Sequence, residues 1–153
     1  MLYIGIDPGK NGGISVIFED DIRKCRNAEA HVYSDEYLVD LCKDIREKSL
    51  LAEVAVERVN AMPGQGVTSM FNFGQNYGII QGVLKANLIP YELVTPQRWK
   101  KMFGVTSDKN SSIAVCKRLF PGVNLKRTDK CTKDHDGMAE SLLLAEYARR
   151  NMK

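Results

Sequence analysis

The sequence predicts an α/β protein in which a mixed β-sheet carries helices on its faces. The first observation is the order of the predicted elements, β-β-β-α-β-α-β-α-α-α, because strands interleaved with helices form such sheets. The second is size: 153 residues, 44% of them hydrophobic, suffice for one domain with a single sizeable core. The third is that the sequence contains no internal repeats and no low-complexity segments.

Three strands are predicted before the first helix. Residues 2–6 form a short apolar run that ends at the turn Asp7-Pro8-Gly9, and residues 12–18 form a second strand after a tight loop. A weaker third strand is expected between Ile22 and Tyr33. Ser34 then caps a helix whose apolar residues recur at i, i+3, i+4 and i+7. These are Leu38, Leu41, Cys42 and Ile45.

The central part of the chain predicts a buried strand, a loop and a long helix. Residues 54–57 form the strand, residues 60–66 have the composition of a loop, and the helix runs from about Val67 to Asn87. Glycines recur in this helix at i, i+4 and i+8, and each costs about 1 kcal/mol of helix propensity. We expect this stripe to pack closely against the sheet, with a helix–helix or subunit contact as the alternative. It consists of Gly74, Gly78 and Gly82.

The last part of the chain predicts one strand and three helices. Residues 89–94 form the strand, and Thr95-Pro96 opens a short helix that runs through Trp99, with proline in a tolerated first-turn position. Two further helices are expected over about 108–119 and 136–150.

The net charge of +3 hides an uneven distribution along the chain. Residues 96–133 carry 10 basic and 2 acidic side chains, a local charge of +8, whereas residues 1–95 carry −4 and residues 134–153 carry −1. A basic block between acidic stretches indicates either a site for a polyanion or a solvated basic face.

The cysteines and the N-terminus point to an intracellular protein. The four cysteines and two histidines do not have the spacing of a zinc site, and Cys42 and Cys116 lie within apolar periodic stretches as buried thiols. The sequence shows neither a basic-then-apolar leader nor an apolar run of the roughly 20 residues that a membrane span needs. We expect no membrane association and a cytoplasmic location.

Four acids occupy positions that a folded protein normally avoids. Asp7 and Glu57 each end a buried strand, and Asp136 and Glu140 lie one turn apart on the inward face of the last helix. A carboxylate that faces a core is costly unless it is paired or binds a cation. Asp136 taken alone is equally consistent with a helix cap, but the convergence of all four favours a functional site.

Clustered carboxylates suit hard cations such as Mg²⁺ or Mn²⁺, which prefer oxygen ligands. Two such ions roughly 3.5–4 Å apart activate water and stabilise the leaving oxygen in phosphodiester hydrolysis. Asp7 is the best candidate for a carboxylate that bridges the two ions. His135 either touches the attacking water or a phosphate, or is simply the residue at the start of the helix.

The sequence resembles the RuvC-type Holliday-junction resolvases of the RNase H-like superfamily, and the short phage members in particular. The matching stretches occur in family order and cover almost the whole chain. They are Ile4-Gly5-Ile6-Asp7-Pro8-Gly9, Asn11-Gly12-Gly13, Val56-Glu57-Arg58, Met62-Pro63-Gly64-Gln65-Gly66, Phe73-Gly74-Gln75-Asn76-Tyr77-Gly78, Val94-Thr95-Pro96-Gln97-Arg98-Trp99-Lys100-Lys101 and His135-Asp136-Gly137-Met138-Ala139-Glu140-Ser141.

The resemblance implies an RNase H-like fold with a mixed five-stranded sheet, two divalent ions and a homodimer that cuts opposed strands of a four-way junction. The metal-binding and catalytic carboxylates would be Asp7, Glu57, Asp136 and Glu140. In bacterial members the last two acids are usually both Asp and three residues apart, so Asp134 is a substitute for Asp136. Where those members place a junction-probing aromatic, this chain has Asn60, which leaves Met62, Phe71 or no residue for that role.

The basic block and the loops near the acids supply candidate contacts to DNA phosphates. Trp99 fits a core anchor better than a platform for base stacking. The predicted DNA-binding residues are Lys10, Asn11, Arg58, Gln65, Ser69, Arg98, Lys100, Lys101, Lys109, Lys130 and Lys133.

The sequence therefore predicts a metal-dependent endodeoxyribonuclease that resolves branched DNA. An RNA-processing nuclease of the same fold is an alternative, because the acids do not distinguish the two substrates. A junction-binding protein without catalysis is another. A nucleotide cofactor is not expected: Asp7-x-Gly9 followed by Gly12-Gly13 also occurs in sugar-kinase and actin-like ATPases, but those need two such domains.

Overall fold

The computed structural model describes residues 1–20, 25–60 and 64–152. Its five strands are β1 (Leu2–Asp7), β2 (Gly13–Asp20), β3 (Cys25–Val32), β4 (Ala52–Glu57) and β5 (Tyr91–Val94). The helices are α1 (Asp35–Glu47), α2 (Val67–Ala86), α3 (Pro96–Phe103), α4 (Lys109–Leu119) and α5 (Asp136–Asn151). The predicted start of the third strand and part of the predicted 60–66 loop lie outside the described residues.

The strands form one mixed sheet in the order β3-β2-β1-β4-β5. The β1–β2 and β2–β3 pairs are antiparallel, whereas β1, β4 and β5 run parallel. Ile6 of β1 is opposite Val56 of β4, so the next residue of each strand lies at the same edge of the sheet. These next residues are Asp7 and Glu57, and the parallel register therefore brings the two predicted acids together.

Each face of the sheet carries its own core, as alternation of side chains along the strands requires. Ile4, Val54 and their neighbours pack under α1 and α2, while the opposite face packs under α3, α4 and α5. The Ser34 cap is confirmed, because its hydroxyl accepts a hydrogen bond from the Tyr37 backbone N–H. The short helix predicted to end at Trp99 continues to Phe103, where Gly104 in the left-handed conformation ends it.

Helix α5 is buried along most of its length and crosses the centre of the sheet. It approaches so closely that a Cβ on Gly5 would lie 1.9 Å from the Ser141 carbonyl oxygen. A Cβ on Gly137 would likewise lie 2.0 Å from the Asn11 carbonyl oxygen. Only glycine fits at these contacts, and they hold the first turns of α5 against the end of β1.

The glycine stripe of α2 does not pack against the sheet, so the favoured sequence interpretation is wrong. A Cβ added to Gly74, Gly78 or Gly82 would meet nothing within 4 Å, and all three positions are exposed. The buried residues of α2 are Ile80 and Leu84, which lie on the other side of the helix. The stripe therefore faces outward, which leaves the predicted alternative of a subunit contact.

Two further predictions concern cysteines and membranes. Cys42 and Cys116 are buried free thiols, as their apolar surroundings in the sequence predict. Among the described residues, no helix combines the length and the hydrophobicity needed to cross a membrane.

Candidate active site

The fold brings the four predicted carboxylates to one end of the sheet. Asp7 lies two residues beyond Gly5, so both belong to the face that α5 covers, and Glu57 belongs to the same face by its register with β1. The remaining two acids come from the first two turns of α5: Asp136 and Glu140.

Three of these acids line one open cleft of about 310 Å³, which we call the acidic cleft. Glu57 lies beside this cleft. Its negative charge helps to raise the pKa of Asp7, and its carboxylate accepts a hydrogen bond from the Trp99 indole N–H. The cleft is lined by Asp7, Gly9, Asn11, Lys100, Thr106, Ser107, Asp108, Lys109, Asp136 and Glu140.

Asp7 is the acid whose charge is least compensated. Its Oδ1 accepts one hydrogen bond, from the Gly9 backbone N–H at 3.2 Å. No lysine or arginine in the described parts of the chain forms an ion pair with it. Burial and, to a smaller extent, the negative charge of Glu57 raise the pKa of Asp7 to about 7. A bound cation would therefore strongly stabilise the ionised form of the Asp7 carboxylate.

Two lysines partly neutralise the acids that α5 supplies. Lys109 Nζ lies 3.1 Å from Asp136 Oδ2, and Lys100 Nζ lies 3.9 Å from Glu140 Oε1. Although partial desolvation opposes it, the hydrogen bond and charge of Lys109 hold the pKa of Asp136 below its usual value. Burial instead raises the pKa of Glu140, with a smaller opposing effect from Lys100. These ammonium groups mark where positive charge is favoured in the cleft.

The donor set fits divalent cations that prefer oxygen. The four acids supply only carboxylate oxygens, and three of them raise the pKa of Asp7 through mutual repulsion. As positioned, no three carboxylate, imidazole or thiol groups of the described residues already lie close enough to hold one ion. Binding would therefore draw the acids together and displace Lys100 and Lys109 from them. Both lysine side chains lie on the surface of the cleft, so this rearrangement needs no change in the fold.

Trp99 has a role at this site that the sequence analysis did not identify. It is fully buried, as a core anchor should be, and its indole Nε1 also donates a hydrogen bond to Glu57 Oε2 at 2.8 Å. The Lys100 ammonium lies 5.2 Å from the centre of the Trp99 ring. Trp99 therefore holds Glu57 by a hydrogen bond, and Lys100 places a positive charge beside Glu140. The Pro-x-x-Trp-Lys segment is the sequence signal for this role, but a buried position in the core is by itself a sufficient reason for a tryptophan there.

If the sequence-based expectation of a metal-dependent nuclease is correct, Trp99→Phe will weaken Mg²⁺ binding and DNA cleavage by roughly tenfold or more, because the variant keeps an aromatic ring but loses the donor to Glu57. Calorimetric titration with Mg²⁺ and a junction-cleavage rate measure the two effects. Phe103→Leu, which alters the same core without touching Glu57, is the control. Wild-type metal affinity in Trp99→Phe would show that the hydrogen bond does not position Glu57.

The structure separates Asp136 from its predicted substitute and gives His135 a structural role. The Asp134 carboxylate forms an ion pair with Lys117 of α4 and does not line the acidic cleft, whereas Asp136 does. His135 Nδ1 accepts a hydrogen bond from the Met138 backbone N–H at 3.2 Å, which caps α5. The interpretation of His135 as a residue at the start of the helix is therefore confirmed.

The predicted DNA-binding residues fall into three groups. Asn11, Lys100 and Lys109 line the acidic cleft. A second group lines a neighbouring cavity beside α2: Lys10, Gln65 and Ser69. The others lie outside both cavities: Arg58, Arg98, Lys101, Lys130 and Lys133.

Arg98 differs from the rest of these residues because its charge is already engaged. It forms an ion pair with Glu92 at 2.6 Å and its guanidinium lies over the Tyr147 ring. Of the two candidates for the junction-probing role, Met62 lies outside the described residues. Phe71 is 70% exposed on α2, which leaves its ring available for contact.

Comparison with known proteins identifies the fold. No model of a protein family and no curated protein matches this sequence. Among solved structures, Thermus thermophilus RuvC in complex with a Holliday junction substrate matches with a TM-score of 0.63 and 16% identity, over 99% of this chain and 97% of that chain. Another T. thermophilus RuvC structure matches with a TM-score of 0.57 and 16% identity, over 98% and 96% of the two chains.

A eukaryotic protein shows the same similarity. The yeast mitochondrial Holliday junction resolvase Ydc2 matches with a TM-score of 0.57 and 14% identity, over 96% of this chain and 77% of that chain. All three likenesses extend over nearly the whole of this chain, including the five-stranded sheet and α5. The chain therefore has the RNase H-like fold of RuvC and Ydc2, as the sequence resemblance implies.

Proposed function

We propose that this protein is a metal-dependent endodeoxyribonuclease that resolves four-way and other branched DNA by paired strand nicks. The observation that carries the proposal is the convergence of four carboxylates at one end of the sheet, three of them lining one cleft, in a fold shared with a RuvC whose structure contains a Holliday junction substrate. Crossover-junction cleavage is phosphodiester hydrolysis, and a cleft of carboxylate oxygens is suited to it.

The acids and the lysines at this site would have different roles in hydrolysis. Asp7, Glu57, Asp136 and Glu140 would hold Mg²⁺ or Mn²⁺, and Asp7 is central among them because the charges of the other three acids act on it. Two bound ions would supply an activated water and stabilise the leaving oxygen. Lys100 and Lys109, released from their acids, would contact the phosphates that flank the scissile bond.

The DNA arms would bind along surfaces that lead away from the cleft. The segment 96–133 carries a charge of +8, and exposed Lys101, Lys130 and Lys133 present part of it to solvent. Phosphate contacts of this kind give affinity that depends on salt and not on sequence. Lys10, Asn11 and Arg58 follow directly after the acidic strand ends and would hold the scissile strand.

We propose that the protein acts as a homodimer, because two symmetric cuts need two cleavage sites. The outward face of α2 is the surface that supports this proposal. At 100° per residue, its three glycines share a side of the helix with exposed Val67 and Phe71. We call this face the α2 stripe: Val67, Phe71, Gly74, Gly78 and Gly82. An apolar face with a glycine ridge allows two helices to approach closely.

We expect Gly78→Arg to weaken dimerisation at least tenfold, because a long charged side chain would replace the ridge at a close helix–helix contact. Sedimentation velocity at micromolar concentration measures the dimer fraction. Val39→Arg introduces the same side chain at an exposed apolar position of α1 and should leave the dimer intact. If the wild-type protein remains a monomer with and without junction DNA, the dimer proposal is wrong.

Cleavage of a panel of substrates tests the proposed function. With Mg²⁺ or Mn²⁺, the protein should cut four-way junctions in preference to linear duplex, and structured RNA should compete poorly. Efficient RNA cleavage would instead favour the RNA-processing nuclease. A calorimetric titration that shows no divalent-ion binding would favour a junction-binding protein without catalysis.

A further inference from the structure

A second cavity, of about 860 Å³, lies beside the acidic cleft. Its described wall is formed by the N-terminal half of α2, by Lys10 after β1 and by residues 59–60 and 65–66 between β4 and α2. Lys10, at its edge, sits between two residues of the acidic cleft, Gly9 and Asn11. The cavity wall also includes Asn60, three residues after the acid Glu57. A strand held at the acidic cleft would therefore pass the mouth of this cavity.

Apart from Lys10, the lining of the cavity is uncharged and rich in side-chain amides. Besides Lys10, Phe73 and small or apolar residues, its described wall contains five amides and no acid. We call it the amide pocket, after Asn60, Gln65, Asn72, Gln75 and Asn76. Each amide offers a hydrogen-bond donor and an acceptor side by side. Such a wall suits the edge of a nucleobase, whose paired donors and acceptors an amide can match.

Four of these amides have their hydrogen-bonding groups available. The side-chain amides of Asn60, Asn72, Gln75 and Asn76 form no hydrogen bond to any residue that the structure describes. The ring of Phe73 is stacked with Tyr77 at a centroid separation of 6.2 Å, so an aromatic surface lies within the same wall. Amides and an aromatic ring together are the groups with which proteins bind unstacked bases.

The amide pocket is distinct from the α2 stripe. Ser69, Asn72, Phe73 and Asn76 follow one another at i, i+3, i+4 and i+7 and so share one side of the helix. At 100° per residue, this side is roughly opposite the glycine ridge. A second copy seated on the α2 stripe would thus leave the pocket open, and the pocket needs a different occupant.

We propose that the amide pocket receives an unpaired nucleobase from the centre of the branched substrate, next to the strand that is cut. Strand exchange at a four-way junction leaves bases at the crossover with the least stacking to lose, so extruding one is easiest there. Pocket occupation would align the adjacent phosphodiester with the acidic cleft. Cleavage would then depend on the base at that position. This inference rests on the proposed function.

The test combines an abasic substrate with a variant of the pocket. Four-way junctions carry an abasic nucleotide at each position around the crossover in turn, and cleavage rates are compared with the intact junction. At one position, the wild-type rate should fall roughly tenfold, which is the scale of a base–amide or base–aromatic contact. Asn72→Ala with Asn76→Ala should lower the rate on the intact junction by a similar factor. Junction affinity should change far less in both cases.

The decisive measurement is the cleavage of the abasic junction by the Asn72→Ala, Asn76→Ala double variant. In the double variant, the abasic substitution should have no further effect, because the contact is already lost. Alanine favours helix over asparagine, so the variant should fold, and a thermal melt checks this. Asn27→Ala, an exposed amide on β3 at the far edge of the sheet, should behave as the wild type.

Two results would overturn the inference. One is a wild-type protein that cuts every abasic junction at the intact rate. The other is a double variant that keeps the full abasic effect. A wild-type protein that cuts no junction at all contradicts the proposed function itself, and the inference falls with it. Cleavage of the intact junction, measured first, distinguishes these failures.

Discussion

Asp7→Asn is expected to reduce cleavage of a four-way junction by roughly a thousand-fold or more while leaving junction binding nearly unchanged. Asp7 lies deepest among the acids, and the charges of Glu57, Glu140 and Asp136 all act on it. An amide in its place cannot neutralise a cation. Loss of metal assistance removes several kcal/mol of transition-state stabilisation, and each 1.4 kcal/mol corresponds to a factor of ten in rate.

Cleavage and gel-shift measurements on one junction separate the two effects of Asp7→Asn. Asp40→Asn, which removes an exposed carboxylate from α1, is the matched control and should cut at the wild-type rate. Normal cutting by Asp7→Asn would refute the assignment of Asp7 to the metal site. Loss of binding together with cutting would show instead that Asp7 supports the DNA-binding surface.

The metal-free protein is expected to lose stability as the pH rises from about 4 to about 7, and Asp7→Asn is expected to remove much of that loss. Burial raises the pKa of Asp7 from 3.8 to about 7, so in this range the folded state binds a proton that the unfolded state has released. The free energy of unfolding therefore falls with rising pH, by up to about 4 kcal/mol for this group. At pH 8 the variant should be the more stable protein.

Chemical denaturation at pH 4, 6 and 8 in the presence of a chelator measures this effect. At pH 4, where Asp7 is largely protonated, wild type and Asp7→Asn should differ little. At pH 8, Mg²⁺ should restore stability to the wild type and have a weaker effect on the variant. A wild-type protein that is as stable at pH 8 as the variant without metal would mean that the Asp7 charge is compensated within the protein.

The sequence predicts most of the fold because its local patterns agree with the tertiary structure. Hydrophobic runs locate β1 and β4, and a serine cap locates α1. The acids Asp7 and Glu57 were identifiable because a carboxylate directly after a buried strand has no structural explanation of its own. Asp136 and Glu140 followed from helical spacing, since residues four apart share a face.

The features that the sequence did not predict depend on tertiary approach. The glycines of α2 and the glycine at position 5 have the same chemistry, yet Gly78 faces solvent and Gly5 touches the backbone of α5. Periodicity within one helix cannot distinguish these environments. The hydrogen bond from Trp99 to Glu57 joins residues 42 positions apart, so only the folded chain reveals it. The amide pocket likewise combines segments that are distant in sequence.

Mapping the cleavage products of a four-way junction at nucleotide resolution, in the presence of Mg²⁺, tests the central claim most directly. If the four carboxylates form the cleavage site of a junction resolvase, the wild-type protein will produce paired nicks at symmetric positions in opposed strands, and ligase will seal them. Chelation of the metal will abolish both nicks. A junction that remains intact with Mg²⁺ and with Mn²⁺, or is cut no faster than linear duplex, would contradict the account.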